Sequence, residues 1–286
     1  MPYALCPMPY AHEYLIFLRK AIETCNNSEM ITSIRSRDGQ KVVARDSQKQ
    51  DGSFFCPKCQ SETILRKGLV KVHHFAHKPP VVCQYGQGES ELHRVCKQTI
   101  FDCLNQDNSV IACDLEKDLG KVVPDIYFES YTVKVAIEVQ VSSLTMSKII
   151  ARTKEYNRLG IYVLWLPVFG DALEAERYAP KQWEKWLHAA YYGRVYYWLH
   201  GLNVAAVHFD EYPLWVEESD WYSSDGEEMS AGGYFKRSKR YRTPNHGLTL
   251  NILQDFQAVS RQGWEGGDVS VPNCKILTDK HAAWWK

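Results

Sequence analysis

Apolar residues along the chain follow two periods, and the order in which they appear sets the expected fold. From Leu92 through Val95, Cys96, Thr99, Ile100 and Cys103 to Leu104 they recur every three or four positions, which predicts a helix with one buried stripe. The stretch from Leu144 to Leu159 repeats that spacing at Met146, Ile149, Ile150 and Thr153, and Lys181 to Ala190 predicts a further helix. Period two governs Val133 to Val141. Val133, Val135, Ile137, Val139 and Val141 fall on one face of a strand, leaving Glu138 and Gln140 together on the other. Lys121 to Phe128 reads as a preceding strand, joined to it by a turn at Glu129-Ser130-Tyr131-Thr132. Ile161 to Val168 is almost continuously apolar, as in a strand buried on both faces, so strand, helix and strand predict a βαβ crossover with parallel strands.

Toward the N-terminus the pattern is shorter in range. An apolar stretch runs from Tyr14 to Ile22, Asn26-Asn27-Ser28 breaks it, and strand-like runs follow near Ile31 and at Lys41 to Ala44. Phe54 to Lys78 reads as a hairpin, and Pro79 to Gly88 as a connector. Beyond Pro167 the chain turns aromatic. Trp183, Trp186, Tyr191, Tyr192, Tyr196, Tyr197 and Trp198 read as core, and Arg194 to Val216 as a hairpin turning near Gly201-Leu202-Asn203. An acidic stretch, Glu217 to Glu228, then gives way to the basic and aromatic segment Phe235 to Arg242. The expected organisation is an N-terminal region over 1–84, an α/β core over 85–170 and a helical and β-hairpin extension over 171–286 with a basic segment.

Composition narrows the functional class. With 45% hydrophobic and 24% charged residues the chain has the material for a sizeable core. A formal net charge of +0 supplies no general attraction to nucleic acid, so any such binding has to come from local patches. Nine cysteines are an odd number, most of them spaced as small buried hydrophobes. Met1 to Tyr10 carry neither the basic nor the apolar region of a signal peptide, and no stretch is long enough to span a bilayer; the expectation is a cytoplasmic protein without membrane contact.

Two constellations carry chemistry. Cys56-x2-Cys59, fourteen intervening residues and His74-x2-His77 form two close ligand pairs suited to tetrahedral Zn²⁺, with His73 an alternative to His74. Four protein ligands leave no open position, so this zinc is expected to be structural. The second constellation is Pro124-Asp125 with Glu138-Val139-Gln140, where antiparallel pairing brings two carboxylates together to share a hard divalent cation. Glu89, His93 and Lys97 recur every four residues along the first helix, opposite its apolar stripe, and place Glu89 as a third acid. Lys97, Arg152 and Tyr156 are candidates for phosphate contact.

The order of helix glutamate, strand Pro-Asp, strand Glu-x-Gln, helix and strand resembles the PD-(D/E)XK nuclease superfamily. Cys56-Pro-Lys-Cys59 with His74-Phe-Ala-His77, Gly88-Glu89-Ser90-Glu91-Leu92-His93, and Ala136-Ile137-Glu138-Val139-Gln140-Val141-Ser142 are similar to one branch of it, the CoiA-like competence nucleases, over about Gly39 to Val168. That resemblance implies a restriction-endonuclease-like core, a mixed sheet flanked by helices, behind a zinc-binding N-terminal segment. It implies a role in processing or recombining DNA, including DNA taken up during natural transformation, with recombination proteins as possible partners. By matching motif, Glu89, Asp125 and Glu138 are metal-site acids, and Gln140 stands where the wider superfamily has lysine. A neutral amide orients a water or phosphate oxygen but does not offer lysine's charge to the transition state.

The expected activity is therefore a Mg²⁺- or Mn²⁺-dependent deoxyribonuclease. Asp125 and Glu138 hold the metal, Glu89 completes or orients its shell, and Gln140 positions the attacking water. The alternatives are a catalytically weak or inactive zinc-containing DNA-binding scaffold, an RNA nuclease, and a nuclease of an anti-phage system.

Overall fold

The computed structural model describes residues 29–69, 71–81, 83, 85, 89–267 and 269–286. The stretch Tyr14 to Ile22, the Asn26-Asn27-Ser28 break and Gly88 lie outside them. The protein is mixed α/β, with several sheets and few helices. It divides into two compact units, one running up to Val141 and including His200–Leu202, the other comprising Ser142–Leu199 and Asn203–Lys286.

In the first unit, strands β1 (Glu29–Met30), β2 (Thr32–Arg35), β3 (Lys41–Val43), β4 (Phe54–Phe55), β5 (Glu62–Arg66) and β6 (His74–His77) form one antiparallel sheet in the order β1-β6-β5-β4-β2-β3. Met30, Ala44, Phe54, Leu65 and Phe75 form its core, with the Phe54 and Phe75 rings 4.9 Å apart. The short strand-like runs read from the sequence are β1 to β3. Helix α1 (Glu91–Asn105) follows, capped by the Ser90 hydroxyl, which accepts the His93 N–H at 3.2 Å. Its apolar stripe is buried as the period requires, against β7 (Val110–Leu115), β8 (Ile126–Ser130) and β9 (Lys134–Gln140).

β7, β8 and β9 are successive antiparallel neighbours, with Ile126 opposite Ile137 and a tight turn closed by Ser130 N–H to the Val133 carbonyl. Two expectations change here. The first strand of this hairpin starts at Ile126 rather than Lys121, so Asp125 stands on its threshold rather than within it. β9 is buried from Val135 to Val139, on both faces rather than one, which puts Glu138 inside protein.

The second unit holds α2 (Met146–Arg158), β10 (Tyr162–Pro167), α3 (Gln182–Ala190), β11 (Val195–His200) as far as Leu199, and β12 (Asn203–Val216). After them come β13 (Ser219–Tyr222), β14 (Glu228–Ala231), β15 (Tyr234–Asn251), β16 (Phe256–Arg261), β17 (Trp264–Gly266), β18 (Val269–Val271) and β19 (Cys274–Asp279). α2 ends because Gly160, at φ 73, takes the left-handed position after the cap while Ile161 N–H bonds the Tyr156 carbonyl at 2.9 Å. β10 pairs in parallel with β19, which is in turn antiparallel to β16. β12 and β15 pair over nearly their whole length, with irregularities at Ala205/Val207 and Glu211/Pro213. Trp165, Trp186, Tyr191, Tyr196, Tyr197 and Trp198 are fully buried, whereas Tyr192 is exposed under the Arg261 guanidinium. The buried hydroxyls have partners: Tyr191 accepts the Trp165 N–H at 2.9 Å, and Tyr197 donates to Glu184 at 2.7 Å.

Candidate functional site

The first cluster gathers residues from the β4–β5 turn, from the end of β6 and from the segment after it. Between β4 and β5 the chain turns through Cys56-Pro-Lys-Cys59, with Gln60 in the left-handed region at φ 58 and its N–H on the Cys56 carbonyl. The Sγ atoms of Cys56, Cys59 and Cys83 and a ring nitrogen of His77 all lie within 4.8 Å of one another. Tetrahedral zinc with Zn–S near 2.3 Å requires ligand separations of about 3.5–3.8 Å, so these four side chains need only a small contraction. Backbone N–H groups of Lys58 and Tyr85 point at the sulfurs of Cys56 and Cys83 at 3.4 and 3.5 Å, the arrangement that supports thiolate ligands. Burial pushes the Cys56 thiol up to about 11. At Cys59 burial also pushes upward, but hydrogen bonds with Ser61 and His77 outweigh it and bring the thiol to about 6. The chemistry of this donor set, three sulfurs and one imidazole, fits zinc.

Cys83 stands where His74 was expected. The spacing H-x2-H brings two rings together on a helix, but His74–His77 is a strand, and residues three apart on a strand face opposite ways. His77 turns to the sulfurs, with Nε2 3.3 Å from Cys59 Sγ. His74 turns away, its Nδ1 donating to the Val72 carbonyl at 2.9 Å and its Nε2 3.6 Å from Glu29. His73 is not part of the cluster either.

The second cluster lies where α1 meets β7, β8 and β9. Glu89 precedes the Ser90 cap and so is not on the helix as expected, yet its carboxylate comes back over the first turns. Its Oε1 lies 2.6 Å from Lys97 Nζ and 3.2 Å from His93 Nδ1. His93 Nε2 reaches Asp125 Oδ2 at 3.1 Å, and the same oxygen accepts the Val139 N–H at 2.8 Å. Lys97 Nζ also lies 2.6 Å from Glu116 Oε1 and 3.8 Å from Asp125 Oδ1. By continuation of the Ile126–Ile137 register, Asp125 comes opposite Glu138, which is 4% exposed, and Gln140 ends the same strand half-buried. The helix face bearing Lys97 is thus buried against acids rather than solvated; the Lys97 side chain is 3% exposed.

Proton occupancy follows from these contacts. Burial works against the Glu89 carboxylate, but Lys97 and His93 outweigh it and hold it down at about 2. Burial likewise opposes charge on His93, and Asp125 and Glu89 raise it to about 9. The same contest keeps Asp125 below its ordinary value through His93 and Lys97, and Glu116 below its own through Lys97. Lys97 is held well above its usual range, since Glu116, Glu89 and Asp125 override burial. The site therefore presents ionised carboxylates beside two cations. Hard oxygen donors of this kind fit Mg²⁺ or Mn²⁺.

Glu116 was not anticipated from the sequence. It follows a strand, β7, whose residues alternate poorly and of which only Leu115 is buried, so no periodic signal announced it. Arg152 and Tyr156 belong to α2 in the second unit; Tyr156 is fully buried there, and Arg152 Nη2 donates to its hydroxyl at 3.3 Å.

Residues 38–86 match the family model described as the N-terminal domain of competence protein CoiA, and residues 89–192 match its nuclease-like domain. The chain belongs to the CoiA-like competence nuclease family. The first match carries Cys56, Cys59, His77 and Cys83, and the second carries the acids from Glu89 to Glu138. No curated protein and no solved structure matches the chain. Among the described residues no helix is long and apolar enough to cross a membrane.

Proposed function

We propose that this protein is a metal-dependent nuclease that hydrolyses phosphodiester bonds in DNA, and that α1 with β7 to β9 belongs to a restriction-endonuclease-like core. The observation that carries this reading is the convergence of Glu89 and Asp125 on Lys97 and His93, beside the buried Glu138. Buried acids gathered at one point cost stability unless they are paired, and clusters with such perturbed protonation concentrate at functional sites. Asp125 and Glu138 hold Mg²⁺ or Mn²⁺, and Glu89 completes or orients that shell. A divalent ion held there would supply Lewis-acid assistance to phosphodiester hydrolysis. Gln140 orients the attacking water, and Lys97 provides the positive charge that an amide at position 140 lacks. The zinc cluster has no open position and supports the fold. Membership of a family of competence proteins supports, as part of this proposal, a substrate among DNA processed or recombined during uptake, with the cytoplasm as the place of action and recombination proteins as partners.

A second reading is favoured by one observation. Lys97 and His93 already neutralise Glu89 and Asp125, so the same cluster is also compatible with a scaffold that grips DNA without cutting it. The two separate on cleavage of linear, single-stranded and branched DNA, and of matched RNA, by wild type and Glu138→Ala with each metal. A nuclease loses at least about a hundredfold in rate on removal of this carboxylate. Salt-dependent DNA binding with no cleavage under any divalent metal selects the scaffold, and equal rates in both proteins remove Glu138 from the mechanism.

A further inference from the structure

Glu116 touches two members of the acid cluster, the Lys97 ammonium and the Asp125 backbone, and its own carboxylate is buried. One oxygen accepts Lys97 Nζ at 2.6 Å; the other accepts the Thr32 hydroxyl at 2.5 Å and the Tyr85 hydroxyl at 2.6 Å. Its backbone is as fully engaged. The N–H donates to the Asp125 carbonyl at 3.0 Å, and the carbonyl accepts Lys41 Nζ at 2.5 Å. With φ at 51 the residue sits in the left-handed region, where a non-glycine residue is retained only when its surroundings fix it.

We propose that Glu116 is a positioning residue for the acid site: it fixes the Lys97 ammonium and the Asp125 backbone, and is fixed in turn by Thr32 of β2 and by Tyr85, which follows Cys83. The proposal rests on the nuclease reading. A lysine carries its charge on a flexible four-carbon stem, and a buried ammonium keeps one place only if its donors are answered by fixed acceptors. Glu89 answers one. Glu116 answers another, and the ammonium lies 3.8 Å from Asp125 Oδ1. Glu116 is saturated by these contacts, so it acts through Lys97 and Asp125 and not on substrate. Thr32 and Tyr85 come from the part of the chain that carries the zinc ligands, so the N-terminal sheet forms one wall of the acid site.

The test compares wild type with Glu116→Gln, Thr32→Val and Tyr85→Phe. It reads kcat and KM on DNA with Mn²⁺, and the ¹⁵N resonance of the Lys97 ammonium in metal-free protein, assigned with Lys97→Met. Glu116→Gln keeps the carboxylate's shape but not its charge. The expected result is loss of the slowly exchanging ammonium signal and a fall in kcat of roughly ten- to a hundredfold with KM within about twofold. Thr32→Val and Tyr85→Phe lower kcat in the same sense by less, and neither adds its full effect to Glu116→Gln. Wild-type kcat in Glu116→Gln overturns the positioning role while leaving the nuclease reading standing. If Glu116→Gln does not fold, the other two decide, and wild-type kcat in both overturns it. A wild type that cleaves nothing with any metal overturns the nuclease reading and the positioning role with it.

Discussion

A thiol at position 83 and an imidazole at position 74 make opposite claims about zinc, and single substitutions separate them. Cys83 offers its sulfur to the cluster of Cys56, Cys59 and His77; His74 spends Nδ1 on a backbone carbonyl and leans on Glu29. Cys83→Ser is therefore expected to lose its zinc, about one equivalent, during dialysis against a mild chelator, and to melt well below wild type, since binding energy at such a site is folding energy. His74→Ala keeps the metal and pays only for a lost buried hydrogen bond, of the order of 1–3 kcal/mol. Metal content by atomic emission beside a thermal melt reads both. Zinc retained in Cys83→Ser and lost in His74→Ala would restore the ligand set that spacing alone had favoured. Cys56, Cys59 and His77 were legible as a group here, but the fourth partner was not, because H-x2-H brings two rings together on a helix and His74–His77 is a strand.

At the scale of elements, the packing of α3 on β12 places His188 against His208, with Nε2 3.0 Å from His208 Nδ1 and 3.2 Å from the Phe209 N–H that it accepts. Burial comes first in lowering its pKa, His208 and Arg242 add to it, Asp210 opposes it, and the outcome is about 4. The folded state thus binds this proton less readily than the unfolded chain, whose imidazole titrates near 6.5. Its contribution is complete above about pH 6.5 and is lost as pH falls toward 4. It amounts to about 3 kcal/mol at most. Urea midpoints at pH 7 and pH 4.5 should show that loss in wild type and a smaller one in His188→Gln; equal losses would show that the pair does not titrate as stated. α3 itself was foreseeable from its apolar spacing, as were α1, α2, β9 and β10. β7, β15 and β19 were not. β7 lacks alternation, β15 takes its partner from β12 across an intervening hairpin, and the parallel neighbour of β10 comes from more than a hundred residues further along. Likewise Asp125 and Glu138 announced themselves through the hairpin that pairs them, whereas Glu116 acquires its role only through tertiary contacts.

For the whole molecule, a net charge of +0 means that no long-range field draws a polyanion to it, so affinity for DNA has to be built from local cations. The basic segment Phe235 to Arg242 forms part of β15, and its charges differ in what they are free to do. Arg237 is paired with Glu211 at 2.9 Å, and Arg242 gives Nη1 to the carbonyls of Ser238 and Tyr241. Lys236, Lys239 and Arg240 are exposed on the same strand, and the neighbouring β13 and β14 are exposed, within the stretch that carries Glu217, Glu218, Asp220, Asp225, Glu227 and Glu228. A charge run beside an acidic hairpin contributes to binding only where it reaches phosphate itself, and salt dependence measures that directly. Each contact to a phosphate releases counterions and contributes a slope of about −0.9 for duplex or −0.7 for single strands in log K against log salt. Lys236→Ala with Arg240→Ala is accordingly expected to reduce the slope for DNA by about 1.5–2 and to weaken binding alike on all sequences, measured by fluorescence anisotropy across a salt series. An unchanged slope would assign the segment to the solvated surface.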